Sequence, residues 1–67
     1  GSAKAEAGES WTEFLARVGF VKSKGEAKRL IEGGGLDIDN KKVKKASDKV
    51  SEGVLKVGKH RFIKVIM

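Results

Sequence analysis

The side chains in this sequence that are able to do chemistry are mostly cations, and they come in two clusters. Lys22, Lys24, Lys28 and Arg29 surround one short segment, and Lys41, Lys42, Lys44 and Lys45 fill most of another. Around a helix, Lys24 and Lys28 lie about 40° apart and border its apolar face, with Arg29 about 100° further round. Ser23, just ahead of them, sits where a helix begins, so its hydroxyl and the first amides add neutral donors at the positive end of the helix dipole. Cations spread in this way suit phosphates on both sides of a shallow groove. The alternative is a solvated face in which Glu32 pairs with Lys28 and Arg29, worth only ~0.2–1 kcal/mol per exposed pair. For Lys56, Lys59, Arg61 and Lys64 the solvated role is at least as well supported.

Other chemistry is poorly supplied. The chain has no Cys and one His, His60, which removes thiolate and multi-histidine metal sites. Asp37 and Asp39 alternate along one segment without a third ligand, as surface acids do. No nucleophile, base and orienting group fall into a set, so neither an enzyme nor a cofactor site is expected. Gly33-Gly34-Gly35 follows a helical pattern and lacks the Lys-Ser/Thr ending of a phosphate loop, so it is expected to stop a helix. Trp11, Phe14, Phe20 and Phe62 are able to stack on bases. Their spacing with Leu15, Val18 and Ile63 favours core packing for all but Trp11, at the helix entrance.

The elements that must position these groups follow from periodicity. Ser10-Trp11-Thr12-Glu13 has the form of a capping box, and Trp11, Phe14, Leu15 and Val18 line one helical face, which predicts a helix over Trp11–Val18 ended by Gly19. Ser23-Lys24-Gly25-Glu26 opens a second helix over Lys24–Glu32, with Ala27, Leu30 and Ile31 on one side. The period then changes to two. Leu36 and Ile38 alternate with Asp37 and Asp39, Asp39-Asn40 turns the chain, and Lys42-Val43 returns. Lys44 to Ser51 is polar and expected to loop, anchored by Val50. Val54 to Val57 and Arg61 to Ile66 make a closing hairpin around Gly58-Lys59. The expected fold is α+β, with two short helices packed on a small sheet of four to five mainly antiparallel strands.

Length and charge bound the function further. A chain of 67 residues holds one domain with a thin core and little room for an enclosed cleft. Nothing approaches the ~20 apolar residues of a spanning helix. Gly1-Ser2 has the form of a cleavage scar, and residues 1–9 read as a flexible linker, leaving 10–67 as the domain. The formal charge is +6, and without Lys4, Glu6 and Glu9 it becomes +7, so the positive charge belongs to the expected domain. Nucleic acid is the first partner such a charge favours and an anionic membrane the second.

The run Val21 to Ile31, then Gly34 to Val43, resembles the RNA-binding domain named after ribosomal small-subunit protein four, whose core is the alpha-L RNA-binding motif. Ser23, Ala27 and Ile31 match its Ser-x-x-x-Ala-x-x-x-Ile helix. Val54 to Ile66 resembles the closing hairpin of the carboxy-terminal domain in bacterial and organellar tyrosyl-tRNA synthetases, where a chain ending at Met67 would fit. The resemblance implies a binding module for structured RNA, tyrosine tRNA above all, gripped near its variable arm and anticodon stem. It implies a parent with catalytic domains that is a homodimer of the cytoplasm or mitochondrial matrix. Carried over by position, the RNA-binding residues are Lys22, Ser23, Lys24, Lys28, Arg29, Lys41 and Lys42, to which charge adds Lys44 and Lys45. Two departures stand out: Asp39-Asn40 replaces the family's Asn-Gly, and Lys24 and Lys28 stand where the family often has Arg. Lysine lacks the bidentate fork, so backbone-directed contacts are expected. The alternatives are an rRNA-binding domain of a ribosomal or rRNA-modifying protein, a basic protein-docking module, and a DNA-binding helix-turn-helix.

Overall fold

Both helices start and stop where local chemistry dictates. A computed structural model, which describes all 67 residues, places α1 at Trp11–Arg17 and α2 at Lys24–Glu32. At α1 the box is complete: the Ser10 hydroxyl accepts from the Glu13 amide, and the Glu13 carboxylate accepts from the Ser10 amide at 2.9 Å. Val18 is the cap rather than a helical residue. Gly19 (φ +87°) then closes the helix, with its amide donating to Ala16 and that of Phe20 donating to Leu15. The end of α2 repeats this design. Gly34 (φ +80°) donates to the Ile31 carbonyl and Gly35 to that of Leu30, which satisfies carbonyls a helix end would otherwise orphan.

Five strands follow the order β1-β5-β4-β2-β3. β2 (Leu36–Ile38) and β3 (Lys41–Lys42) form a hairpin in which Ile38 pairs with Lys41. Two residues remain for the turn, Asp39 (φ 49°) and Asn40 (φ 67°), both left-handed as the twist of a two-residue hairpin requires. Asp39 offsets its strain with its side chain: Oδ1 accepts from the Val54 amide at 2.9 Å. The return strand is one residue earlier than expected, and Val43 leaves it to bury itself. β4 (Gly53–Val57) and β5 (Arg61–Ile66) pair antiparallel through a three-residue connection, Gly58 to His60.

The first nine residues do not behave as a linker. β1 (Ser2–Lys4) runs parallel to β5, in register Ser2 to Lys64 and Lys4 to Ile66. Ala5 is buried, and the Glu9 carboxylate holds Arg17 of α1 by two hydrogen bonds, 2.7 and 2.9 Å. Arg17 also donates to the Lys4 carbonyl at 2.7 Å. The linker expectation fails because alanine is a weak strand former and the tie to Arg17 is non-local.

One face of the sheet supplies Leu36, Leu55, Val57 and Val65 to a core completed by Trp11, Phe14 and Leu15 of α1 and Ala27 and Ile31 of α2. Trp11 is buried, with its ring edge-on to Phe14, so it has no face free for a base. Phe62 departs from expectation in the other direction: it is 62% exposed, on the opposite face of the sheet.

Candidate nucleic-acid interface

The cationic side chains do not form one strip. Lys24, Gly25, Lys28 and Glu32 of α2 face Lys44, Lys45, Ala46, Ser47 and Lys49 of the loop after β3 across an open groove of about 800 Å³, floored by Ser10, Thr12 and Glu13. The loop is held there by backbone hydrogen bonds from Trp11 to Asp48 and from Val50 to Glu9, with Val50 buried beneath it. Periodicity puts Lys24 and Lys28 one turn apart on α2, and the anchored loop brings the remaining lysines opposite them.

Lysines outnumber acids in the lining five to two. Neither acid cancels a lysine by contact. Glu13 is committed to the start of α1, and its carboxyl is held below the ordinary range, first by the Ser10 amide and hydroxyl and then by attraction to Lys24 and Lys49. Glu32 makes no ion pair. The ion pairs of the structure join Arg17 to Glu6 and Glu9, and Lys42 to Asp37. The pairing of Lys28 and Arg29 with Glu32 that the sequence permits is therefore absent.

The other expected contact residues separate from the groove. Ser23 caps α2 by accepting from the Glu26 amide at 3.2 Å. Glu26 does not close a full capping box: it accepts from the Lys22 amide instead, which places a carboxylate at the helix start where an anion would sit. Arg29 folds back toward that end, its Nη1 lying 3.9 Å from where a Cβ on Gly25 would stand, with Ser23 Oγ at 3.8 Å. Lys22 and Lys41 are exposed and do not line the groove. Lys42 is used inside the fold: its ammonium donates to the Gly34 carbonyl at 2.7 Å, where the dipole favours a cation, and lies 3.6 Å from Asp37. Asp39 faces Gly53 and Val54 and is tied down there.

Lys49 is the groove residue that sequence reasoning missed. It stands alone in a polar stretch, and only the neighbouring Val50, an apolar residue in a loop of charges, signals that the chain returns there.

No helix is long and apolar enough to cross a membrane, and no three His, Asp or Glu side chains come together as a metal site would need. What the geometry defines is a small α+β module with a polycationic groove between a helix and a loop. The chain belongs to the S4 domain family, whose model matches residues 13–55, and members of this class bind RNA. Its relatives are specific: it is 44% identical over 57 residues to tyrosine–tRNA ligase of Aquifex aeolicus, a match covering 81% of this chain and 14% of that protein. It is also 44% identical over 54 residues to the enzyme of Nitratidesulfovibrio vulgaris and 38% over 56 residues to that of Thermotoga maritima, matches that cover 78% and 79% of this chain and 14% of each enzyme. The chain thus spans about one seventh of the length of these relatives.

Proposed function

We propose that this domain is the tRNA-gripping part of a tyrosine–tRNA ligase. It holds the phosphate backbone of tyrosine tRNA, near the variable arm and anticodon stem, in the groove between α2 and the loop after β3. Lys24, Lys28, Lys44, Lys45 and Lys49 supply the charge. Lys22, Ser23, Arg29 and Lys41 extend the contact along the rim, and Lys42 braces the strand beneath. Tyrosine activation belongs to catalytic domains elsewhere in the parent, which pairs as a homodimer.

The observation that carries this reading is the set of five groove lysines, none joined to an internal acid. A folded RNA presents phosphates along its grooves and is recognised largely by shape and backbone, which suits point charges on either side of a trough. The relatives are named tyrosine–tRNA ligases, which supports tyrosine tRNA as the RNA in this reading.

The test is fluorescence anisotropy with tyrosine tRNA, a tRNA lacking a long variable arm and duplex DNA. The Lys24→Glu, Lys28→Glu double variant should lose at least about tenfold in affinity with its thermal midpoint unchanged, since reversal of two phosphate contacts removes charge and not packing. Equal affinity in the variant removes the groove from the account. Equal preference for all three nucleic acids removes the tRNA specificity.

A further inference from the structure

The face of the sheet turned away from the helices is uncovered, and it is not uniformly polar. Pairing register puts Phe62, Lys64 and Ile66 of β5 on this side, beside Val54 and Lys56 of β4 and Ser2 and Lys4 of β1. Phe62 is 62% exposed and Val54 51%, although β5 is an interior strand of the sheet. Most of this aromatic ring is open to solvent, and the contact that the chain makes with its face is a cation. Its cross-strand partner is Lys56, whose ammonium lies 6.0 Å from the ring centroid, and Lys64 follows two residues on along the same strand. Asp37 is the one acid the register adds to this face, and it is paired with Lys42. The face therefore combines an aromatic platform with unpaired cations.

That combination excludes some occupants by chemistry. A purely apolar partner would have to strip water from Lys4, Lys56 and Lys64 with nothing to pair them. The occupant must bring a flat apolar group and negative charge at close spacing, which is what an unpaired nucleotide offers. Its base stacks on a ring while its phosphates meet the adjacent ammonium groups, as on other platforms for single strands.

We infer that the outer sheet face is a second nucleic-acid contact, in which an unpaired base of single-stranded RNA stacks on Phe62 while Lys56 and Lys64 hold the flanking phosphates. This goes beyond the groove, which grips a folded backbone on the other side of the sheet. The two surfaces act on different features of RNA, so one is testable without the other.

The experiment compares an unstructured single-stranded RNA with a strand of the same length in which the bases are replaced by abasic sites, by anisotropy with the whole chain. The base-bearing strand should bind about tenfold more tightly, as expected for stacking of one or two bases. Phe62→Ala should abolish that difference and Phe62→Trp restore it. Because Phe62 is exposed, the alanine variant keeps its fold, which the fluorescence of buried Trp11 monitors. A Lys24→Glu, Lys28→Glu variant should lose the folded RNA but keep the preference for bases. Equal binding of the two strands by the unaltered chain overturns the inference, and so does a preference that survives Phe62→Ala. Loss of folded-RNA binding in the unaltered chain would instead count against the groove. Binding of an acidic polypeptide through Phe62, with no preference between the strands, would make the face a protein contact and also overturn it.

Discussion

Two clusters of charge on this small domain behave in opposite ways. Around Arg17 both acids are engaged: Glu9 accepts two hydrogen bonds from it and Glu6 lies 3.9 Å away, while the Lys4 carbonyl takes a third hydrogen bond. Around the groove, five lysines face two glutamates and no contact pair forms. The first cluster is spent on folding, because it fastens β1 and the segment after it to α1. The second is joined to no internal acid, and on the proposed reading its charge is kept for a polyanion. A count of charges along the sequence does not separate the two; the presence or absence of a partner in space does.

The largest expected effect belongs to the groove. If the five lysines displace counterions from about five phosphates, the logarithm of the association constant falls with the logarithm of salt at a slope of roughly −4. That is a loss of about two orders of magnitude between about 50 and 200 mM salt. Replacing Lys49, Lys44 or Lys45 with Ala, singly, should flatten the slope by nearly one. A slope near zero would mean that the groove lysines are solvated in the complex. Thermal unfolding of the free domain should hardly respond to these three substitutions.

The next effect reverses the pattern. Arg17→Met retains the apolar reach of the side chain but takes away two of the three donors to the buried Glu9 carboxylate, leaving only the Glu6 amide. The thermal midpoint should drop by roughly 5–10 °C, while affinity for tyrosine tRNA, measured below the new midpoint, stays within a factor of two or so of the original. A tenfold loss of affinity with an intact fold would show that the two clusters are coupled after all.

Acid should separate them as well. The Arg17 hydrogen bond holds Glu9 below its ordinary value of 4.5, against the opposing effect of burial. The Ser10 amide does the same for Glu13. Both carboxyls therefore take up protons more readily in the unfolded chain, so their stabilisation is present above about pH 4.5 and lost as pH falls through their lower folded values. Arg17, raised by Glu9, loses its contribution only at strongly alkaline pH. The thermal midpoint should fall steadily below about pH 4.5, and Glu9→Gln should lower it at neutral pH and flatten the acid slope. An unchanged acid slope in Glu9→Gln would assign acid sensitivity to Glu13 instead.

The same contrast explains what was legible in the sequence. Helix α2 is legible with its observed bounds because its signals are local: Ser23 before it, Ala27 and Ile31 on one face, and Gly34 able to turn left-handed after it. Lys24, Lys28, Lys44 and Lys45 were legible as cations, and the groove gathers all four. What the sequence did not reveal depends on pairing across distance. β1 offers only the alternation of Ala3 and Ala5 with Lys4 and Glu6, and its partner lies at the other end of the chain. Lys42 is one more lysine in a basic run until the carbonyl of Gly34 is found beside it. Phe62 fits an alternating strand equally well on either face, and only the placement of the helices decides which face is covered.

The smallest effect expected is at Gly25, which lies on the lining of the groove, in the first turn of α2. No left-handed angle requires glycine here, and a Cβ would meet only Ser23 Oγ and Arg29 Nη1, at ordinary contact distances. Alanine in this turn should therefore stabilise the helix, by up to ~0.5–1 kcal/mol. Glycine at such a place fits a backbone that a ligand approaches closely. A methyl group would then stand between the first turn of α2 and a phosphate held by Lys24 and Lys28. Gly25→Ala should raise the thermal midpoint by a few degrees and weaken tRNA binding several-fold, with the salt slope unaltered because no charge has changed. This is the one substitution in the set expected to move stability and affinity in opposite directions. Stabilisation without loss of affinity would place the RNA backbone over the lysine tips and away from the helix start. Loss of affinity with a flatter slope would mean that the methyl group displaces Arg29, and so would bring Arg29 into the contact.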